Sequence, residues 1–110
     1  MDAEDRKLVT LAKATRLRAK AAEGAAIRDL DGRTYAAATV DLPSLQVSAV
    51  GSAIAMAVAS GAKGLEAVIV LSEEDVVDEA DLAAVREFAG GGVPVYRGTP
   101  AGEVAESTQS

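Results

Sequence analysis

This sequence of 110 residues has no histidine and no cysteine, so carboxylates and hydroxyls are the first side chains to consider for chemistry at a site. Tight zinc sites use thiolates and imidazoles, so we expect no zinc or other cofactor. The same absence excludes cysteine nucleophiles, Ser-His-Asp triads and histidine acid–base steps. Standard nucleophilic or zinc-dependent catalysis is therefore not expected from this chain.

The carboxylates with the most suggestive spacing are Asp78 and Asp81. Residues at i and i+3 share a helix face, and hard cations accept carboxylate oxygens. Both residues also fall in the first turn of a predicted helix, where the helix dipole favours negative charge. We favour this helix-start role over a metal site.

The overall charge argues against two classes of partner. The chain has 11 basic and 17 acidic residues, for a net charge of −6. Nucleic-acid binding needs Lys and Arg to displace counterions, and an anionic membrane surface likewise attracts basic segments. We therefore expect neither nucleic acid nor membrane as a partner.

Two charged clusters leave alternatives open. Six basic residues lie within the first 20 positions, and we interpret them as a solvated helix face, with a basic docking patch as the alternative: Arg6, Lys7, Lys13, Arg16, Arg18 and Lys20. The acidic run 73–75, with Asp78 and Glu79, is interpreted as a solvated loop. Its alternative role is to attract a basic partner or a divalent ion.

The N-terminus and the apolar stretches predict a cytoplasmic location. The first five residues are acidic and lack the apolar segment of a signal peptide. The longest apolar stretch, 53–59, is far shorter than the roughly 20 residues that cross a bilayer.

The elements that must position these groups alternate between helical and strand patterns. They are a helix at about 5–22, hairpin strands at 25–30 and 33–40, a helix at 47–59, a strand at 67–71, a helix at 78–88 and a strand at 93–96. Asp31-Gly32 suits a type I′ turn between the first two strands. A helix between two apolar strands predicts a parallel βαβ unit, and Pro94 indicates an edge or near-edge strand. We expect one α/β domain over 1–98, with a mixed sheet of about four strands, and a disordered tail over 99–110.

The second helix is apolar nearly all round, which is typical of a buried helix. Ala49, Ala53 and Ala57 form one row of small residues, and Gly51, Ala55 and Ala59 form another. Such rows could pack against the chain's own sheet or form a seam between subunits.

The order of these elements resembles the small cytidine deaminase family over residues 5–97. Asp31-Gly32 falls at the family's hairpin turn, and 35–41 is similar to its second strand, which ends in Asn-x-Glu. Ser48-Ala49-Val50 lies where the family has Cys-Ala-Glu, and 85–88 is similar to the end of the helix that follows Pro-Cys-x-x-Cys. The resemblance implies a three-layer α-β-α fold and subunit contacts near the second helix.

The resemblance also implies which positions once carried the chemistry. In the family, three thiolates hold zinc and a glutamate shuttles protons to the activated water. Ser48 stands at the first ligand position, and Asp78 and Asp81 stand at the other two. Val50 stands at the proton-shuttle position and cannot accept a proton. Thr39 and Asp41 replace the Asn-x-Glu that holds the ribose. We interpret them as polar groups at a strand end and a helix entry, with ribose binding as the alternative.

Our leading hypothesis is a cytidine deaminase-like pseudoenzyme that acts as a binding or assembly module, as a homo-oligomer through the second helix. The alternative is a nucleoside-binding protein or an enzyme that uses carboxylates such as Asp41, Asp78 or Asp81 in place of zinc. A third hypothesis is a regulatory protein that partners another cytoplasmic protein.

Overall fold

The computed structural model describes all residues from 1 to 110 and contains three α-helices and seven strands. In chain order they are α1 (Ala3–Ala19), β1 (Gly24–Asp29), β2 (Thr34–Ala38), β3 (Val40–Leu42), β4 (Leu45–Val47), α2 (Ala49–Ala59), β5 (Leu65–Leu71), α3 (Glu79–Ala89), β6 (Pro94–Gly98) and β7 (Val104–Gln109). None of the helices has both the length and the apolar character needed to cross a membrane.

A mixed sheet of five strands, in the order β2-β1-β5-β6-β7, forms the middle layer. β5 and β6 are parallel and are joined through α3, whereas the other neighbours are antiparallel. Strand β5, apolar except for the exposed Glu66, lies at the centre, and its other six residues are buried. The predicted hairpin and βαβ unit are confirmed, with five strands in place of about four. β6 is next to the edge, as Pro94 indicated.

α1 covers one face of the sheet, where Leu8 and Ala12 pack with Ile69 and Leu71 of β5. The sequence suggests Gly24 as the end of this helix, but α1 ends earlier, at Lys20 in the left-handed conformation (φ 53°). Gly24 is instead the first residue of β1. A Cβ there would overlap the Ala12 carbonyl oxygen, so Gly24 permits a close approach of helix and strand.

α2 and α3 cover the opposite face and complete three layers. Ala49, Ala53 and Ala57 are fully buried against the sheet. Ala55 and Ala59 are exposed. The two rows of small residues therefore have different surroundings, because one packs on the chain's own sheet and the other faces solvent.

The turn between β1 and β2 differs from the predicted type I′ turn. Gly32 has a positive φ (85°), whereas Asp31 does not. The Gly32 N–H donates to the Asp29 carbonyl, and the buried Asp29 carboxylate accepts from the N–H groups of Asp31 and Arg33. A type I turn followed by a left-handed glycine explains this pattern.

Three further strands, β3, β4 and β7, form where the sequence indicated a break or disorder. β3 and β4 make a small separate hairpin around Pro43 and Ser44. The segment 99–110, predicted to be disordered, contains β7, which pairs antiparallel with β6. Ser110 fixes the C-terminal end of this segment, because its hydroxyl donates to the Gly90 carbonyl and accepts from the Val93 N–H. Backbone pairing and not apolar burial orders this segment, since all six residues of β7 are exposed.

Candidate functional site

Most of the residues with candidate roles lie along one edge of the sheet. The register pairs Gly24 with Leu71 and with Ala38, so the end of β5, the start of β1 and the end of β2 share this edge. It is also the carboxyl end of the parallel strands β5 and β6, where open α/β sheets place their ligands.

Ser48 and Asp81 meet at this edge. Ser48 is the N-cap of α2, and its Oγ accepts the Gly51 N–H at 2.9 Å. The same hydroxyl donates to Oδ1 of Asp81 at 2.6 Å. Asp81 lies in the first turn of α3 and is only 6% exposed. One short hydrogen bond therefore connects the first turns of two helices whose residues are 33 positions apart.

The environment of Asp81 disfavours its charged form. Burial raises the pKa of its carboxyl group, and the neighbouring carboxylate of Asp78 raises it further. The hydrogen bond from Ser48 acts in the opposite direction but is outweighed. A carboxyl group placed in this way suits a hydrogen-bonded structural role within the site.

The other two positions assigned through the resemblance contribute in different ways. Asp78 is the N-cap of α3, and its exposed carboxylate accepts the Ala80 N–H at 2.9 Å. It is therefore the N-cap of α3, one position before the first turn in which the sequence pattern placed it. Val50 is 1% exposed and belongs to the apolar core beneath α2.

Thr39 lies beside Glu23, a residue that the sequence did not single out. The Thr39 hydroxyl accepts the Glu23 N–H at 3.0 Å. The Glu23 carboxylate in turn lies at the start of α2, where its Oε1 accepts the Ala49 N–H at 3.4 Å. Thr39 thus connects β2 to the residue preceding β1, and Glu23 extends this connection to α2.

A cleft of about 350 Å³ adjoins these groups and contains the predicted ribose-binding residues. Thr39 and Asp41 line it together with Glu23 and Ser48. Asp41 is exposed in β3, opposite Gln46 of β4. The structure therefore brings Thr39, Asp41 and Ser48 to one cleft, whereas Asp78 is absent from its lining.

The donors present do not fit a zinc ion of the kind that the family uses. Ser48 offers a neutral hydroxyl that is already engaged by Asp81 and Gly51. No group of three or more acidic residues is arranged to hold a metal ion. Without thiolate or imidazole, one buried carboxylate and one capping carboxylate leave the coordination incomplete.

Glu23 could not be identified from the sequence because it lies in the short connection between α1 and β1. Its only local signal is a charge directly before the buried segment 24–27. Its contacts with Thr39 and Ala49 span 16 and 26 residues and arise only when the sheet and α2 assemble.

The fold has close relatives among solved structures. The cytidine deaminase of Burkholderia pseudomallei matches with a TM-score of 0.83 at 23% identity, covering 98% of this chain and 92% of that one. The Mycobacterium leprae cytidine deaminase matches with a TM-score of 0.77 at 22% identity, covering 98% and 94%. The cytidine deaminase of Bacillus anthracis gives 0.71 at 16% identity, covering 98% and 84%. These likenesses establish the fold.

Comparison with curated proteins gave no match. The sequence itself matches the family described as cytidine deaminase-like over residues 1–102, which is nearly the whole chain. Fold and family match agree with the element order, and the chain belongs to the cytidine deaminase-like family.

Proposed function

We propose that this protein does not deaminate cytidine and that it acts as a binding or assembly module, as a homo-oligomer. The observation that carries the proposal is the 2.6 Å hydrogen bond from Ser48 to Asp81. It joins two of the three positions that the family resemblance assigns to zinc ligands. A neutral hydroxyl and a buried carboxyl group satisfy each other there, which leaves little capacity to coordinate a cation.

Val50 also supports the proposed lack of deaminase activity, because its side chain cannot transfer protons. It stands where the resemblance places the proton-shuttling glutamate, and it is packed in the core. The side chain has no titratable group, so no proton can pass through it. Two carboxylates contact the start of α2: Asp81 accepts from the Ser48 hydroxyl at 2.6 Å, and Glu23 accepts the Ala49 N–H at 3.4 Å.

Metal analysis and a cytidine assay on the purified protein test this part of the proposal. The structural neighbours are named as cytidine deaminases, which makes cytidine the appropriate substrate. We expect less than one-tenth of an equivalent of zinc and no conversion of cytidine to uridine. Stoichiometric zinc together with turnover would show the proposal to be wrong.

The outer surface of α2 supports the assembly role. The helix carries no charged residue, although a quarter of the chain is charged. Four of its apolar residues are exposed and form what we call the α2 face: Ala55, Met56, Val58 and Ala59. Leu42 and Leu45, in the hairpin that leads into α2, are also more than half exposed. Apolar residues grouped in this way are typical of protein–protein contacts.

Charge introduced into the α2 face tests the assembly role. Met56 is 44% exposed, so Met56→Glu leaves the core intact and places a carboxylate in the proposed contact. We expect sedimentation to show a homo-oligomer for the unaltered protein and a shift toward monomer for the variant. Leu30→Glu is the matched control, since Leu30 is 57% exposed and lies outside the α2 face. A monomer before substitution would exclude homo-oligomerisation through α2.

A second candidate function is nucleoside binding in the cleft that Thr39 and Asp41 share with Glu23. The free carboxylate of Asp41 could accept hydrogen bonds from ribose hydroxyls. A nucleoside at 100 times its dissociation constant should stabilise the fold by about 2.7 kcal/mol. Thermal unfolding with cytidine, uridine, adenosine and guanosine measures this effect, and Asp41→Ala should abolish it. The absence of a shift with all four would exclude this function.

A further inference from the structure

A second surface, unrelated to the α2 face, lies between α1 and the turn that joins β6 to β7. It is a cleft of about 520 Å³ whose apolar walls include Val9 and the partly exposed Met1 and Val104. Arg6 lines it, and Glu103 is its single carboxylate. The Lys13 side chain lies directly beside the turn, 3.5 Å from where a Cβ on Gly102 would stand. We call this surface, with Met1, Arg6, Val9, Lys13 and Val104, the α1 groove.

The cations of the α1 groove lack partners within the chain. Residues 6–20 contain six basic and no acidic side chains, in a chain whose net charge is −6. Only Lys7 among these six forms an ion pair, with Glu4. The helix dipole accounts for Arg16, Arg18 and Lys20 near the C-terminus of α1. It does not account for Arg6, which is near the positive end, or for Lys13 in the middle.

The chain itself contains a segment with the complementary chemistry. Residues 73–79, which we call the acidic segment, follow β5 and carry five carboxylates around two valines. Val76 is 68% exposed, more than any other large apolar side chain. An apolar side chain held in solvent between carboxylates matches a groove with apolar walls flanked by cations.

The acidic segment lies beside the C-terminal end of its own α1, away from the Arg6 end of the α1 groove. Its first residues, Glu73 and Glu74, line a cleft with Arg16. The Glu74 carbonyl is fixed by Arg97 at 2.8 Å. Arg16 is ten residues beyond Arg6 on α1, or about 15 Å along the helix axis. We therefore expect any pairing between the acidic segment and Arg6 to be between molecules.

We propose that the acidic segment of one copy docks into the α1 groove of a second copy. Val76 enters between Val9 and Val104, and the carboxylates of the segment pair with Arg6 and Lys13. The two surfaces differ, so the contact is heterologous and can repeat from copy to copy. The segment contributes only residues 73–79, whereas a standard stable interface uses roughly 20–30 residues on each side. We therefore expect weak association, which salt weakens further.

The test uses two charge reversals in the Met56→Glu background, which removes the proposed α2 contact. Arg6→Glu/Lys13→Glu reverses the groove, and Glu74→Lys/Asp75→Lys reverses the segment. Sedimentation of the parent at about 20 mM salt should show association that disappears near 0.5 M, where screening is severe. Each reversed protein alone should be monomeric. An equimolar mixture of the two should associate, because each supplies the surface that the other lacks.

A matched control separates this contact from the effect of net charge. Arg33→Glu/Lys63→Glu changes the charge by the same amount as the groove reversal but lies outside the groove, and it should associate like the parent. A parent that stays monomeric at low salt would overturn the proposal, as would a mixture that does not associate. If a labelled poly-glutamate probe binds but the protein does not self-associate, the groove would be a site for an acidic protein partner. The proposal that a second copy occupies the groove would then be wrong. None of these outcomes depends on zinc or on cytidine turnover.

Discussion

At the scale of single residues, Ser48 has two roles that ordinary helix capping does not combine. Its oxygen accepts the Gly51 N–H and completes the first turn of α2, while its proton goes to Asp81 on α3. Substitution therefore removes a cap and also leaves a buried carboxyl group without its donor. The two losses fall on different helices, and their effects should add.

Ser48→Ala should destabilise the protein by about 2 kcal/mol, because a lost N-cap costs about 1 kcal/mol and a lost buried hydrogen bond costs about the same. Urea unfolding measures the change. Ser52→Ala is the control, since Ser52 lies within α2 and its hydroxyl has no partner in the structure. A loss of only about 1 kcal/mol relative to the control would mean that the contact with Asp81 contributes nothing, since the lost cap alone accounts for that amount.

Asp81 leads to a pH-dependent prediction whose sign follows from its raised pKa. The folded protein holds this proton more tightly than the unfolded chain, whose value is near 3.8. The free energy of unfolding therefore falls as pH rises from 3.8 to the folded pKa, and it stays lowered above that value. Asp81→Asn removes the charge and keeps an oxygen that accepts from Ser48.

Asp81→Asn should therefore stabilise the protein at about pH 7 and lose this advantage below about pH 3.8, where Asp81 is protonated in both states. Urea midpoints across this range provide the measurement. Glu87→Gln is the control, since it removes an exposed carboxylate from α3 without touching Ser48 or Asp81. Stabilisation that is the same at both ends of the range would mean that ionisation of Asp81 is not responsible.

The separate roles of these residues are visible in the sequence, but their meeting is not. Ser48 can be recognised as a candidate N-cap of an apolar helix, and Asp78 falls at the start of the next helix. The contact between Ser48 and Asp81 depends on how α2 and α3 cross over the sheet, which no local pattern encodes. Glu23 shows the same limit, because its partners come from β2 and α2.

At the scale of elements, the approach of α1 to the sheet is controlled by Gly24. A Cβ at this position would lie 2.7 Å from the Cβ of Arg16 and would overlap the Ala12 carbonyl oxygen. The helix backbone cannot move away without losing the packing of Leu8 and Ala12 on β5. Any side chain at residue 24 must therefore displace the helix or the strand.

Gly24→Ala should cost about 3 kcal/mol, at the upper end of the range for an overpacked core. The control is Gly91→Ala, whose added Cβ would have only the Ser110 carbonyl oxygen nearby, at 3.8 Å. Thermal unfolding of both variants provides the comparison. A loss below about 0.5 kcal/mol for Gly24→Ala would mean that α1 adjusts freely, since that is the range of ordinary surface changes.

The elements that sequence patterns predicted are those with a strong apolar period. Residues 67–71 of β5 are continuous apolar sequence, and α2 and α3 begin within two residues of their predicted starts. β7 was missed because Val104–Gln109 has one large apolar residue and gains order from pairing with β6. β3 and β4 were missed because Pro43 and Ser44 indicate a break, which proved to be the turn of a hairpin.

At the scale of the whole molecule, the sheet and its two helical layers are retained even though the chain has no thiolate or imidazole. Fourteen buried residues support the α2 and α3 side, against six on the α1 side. The positions that the resemblance assigns to zinc ligands therefore lie on the side of the sheet with the larger buried cluster. On this side, apolar packing and one hydrogen bond from Ser48 to Asp81 connect α2 and α3.

A scaffold of this kind should still accept zinc if thiolates are restored at the assigned positions. The variant Ser48→Cys/Asp78→Cys/Asp81→Cys supplies three sulfur donors from the first turns of α2 and α3, and water can complete the tetrahedron. We expect one equivalent of zinc after metal loading and dialysis, measured by elemental analysis. The expectation rests on the 2.6 Å contact, which already places two of the three side chains together.

The control moves one thiolate away from the site and keeps the number of cysteines. Ser48→Cys/Asp81→Cys/Ser107→Cys places the third cysteine on the exposed strand β7, beyond reach of α2. It should retain zinc at least tenfold more weakly, since a ligand is missing and each factor of ten corresponds to about 1.4 kcal/mol. Equal zinc retention by the two variants would mean that Asp78 does not occupy a former ligand position. In that case the alignment of α3 with the family motif would need to shift, whereas the contact between Ser48 and Asp81 would remain as the structure shows it.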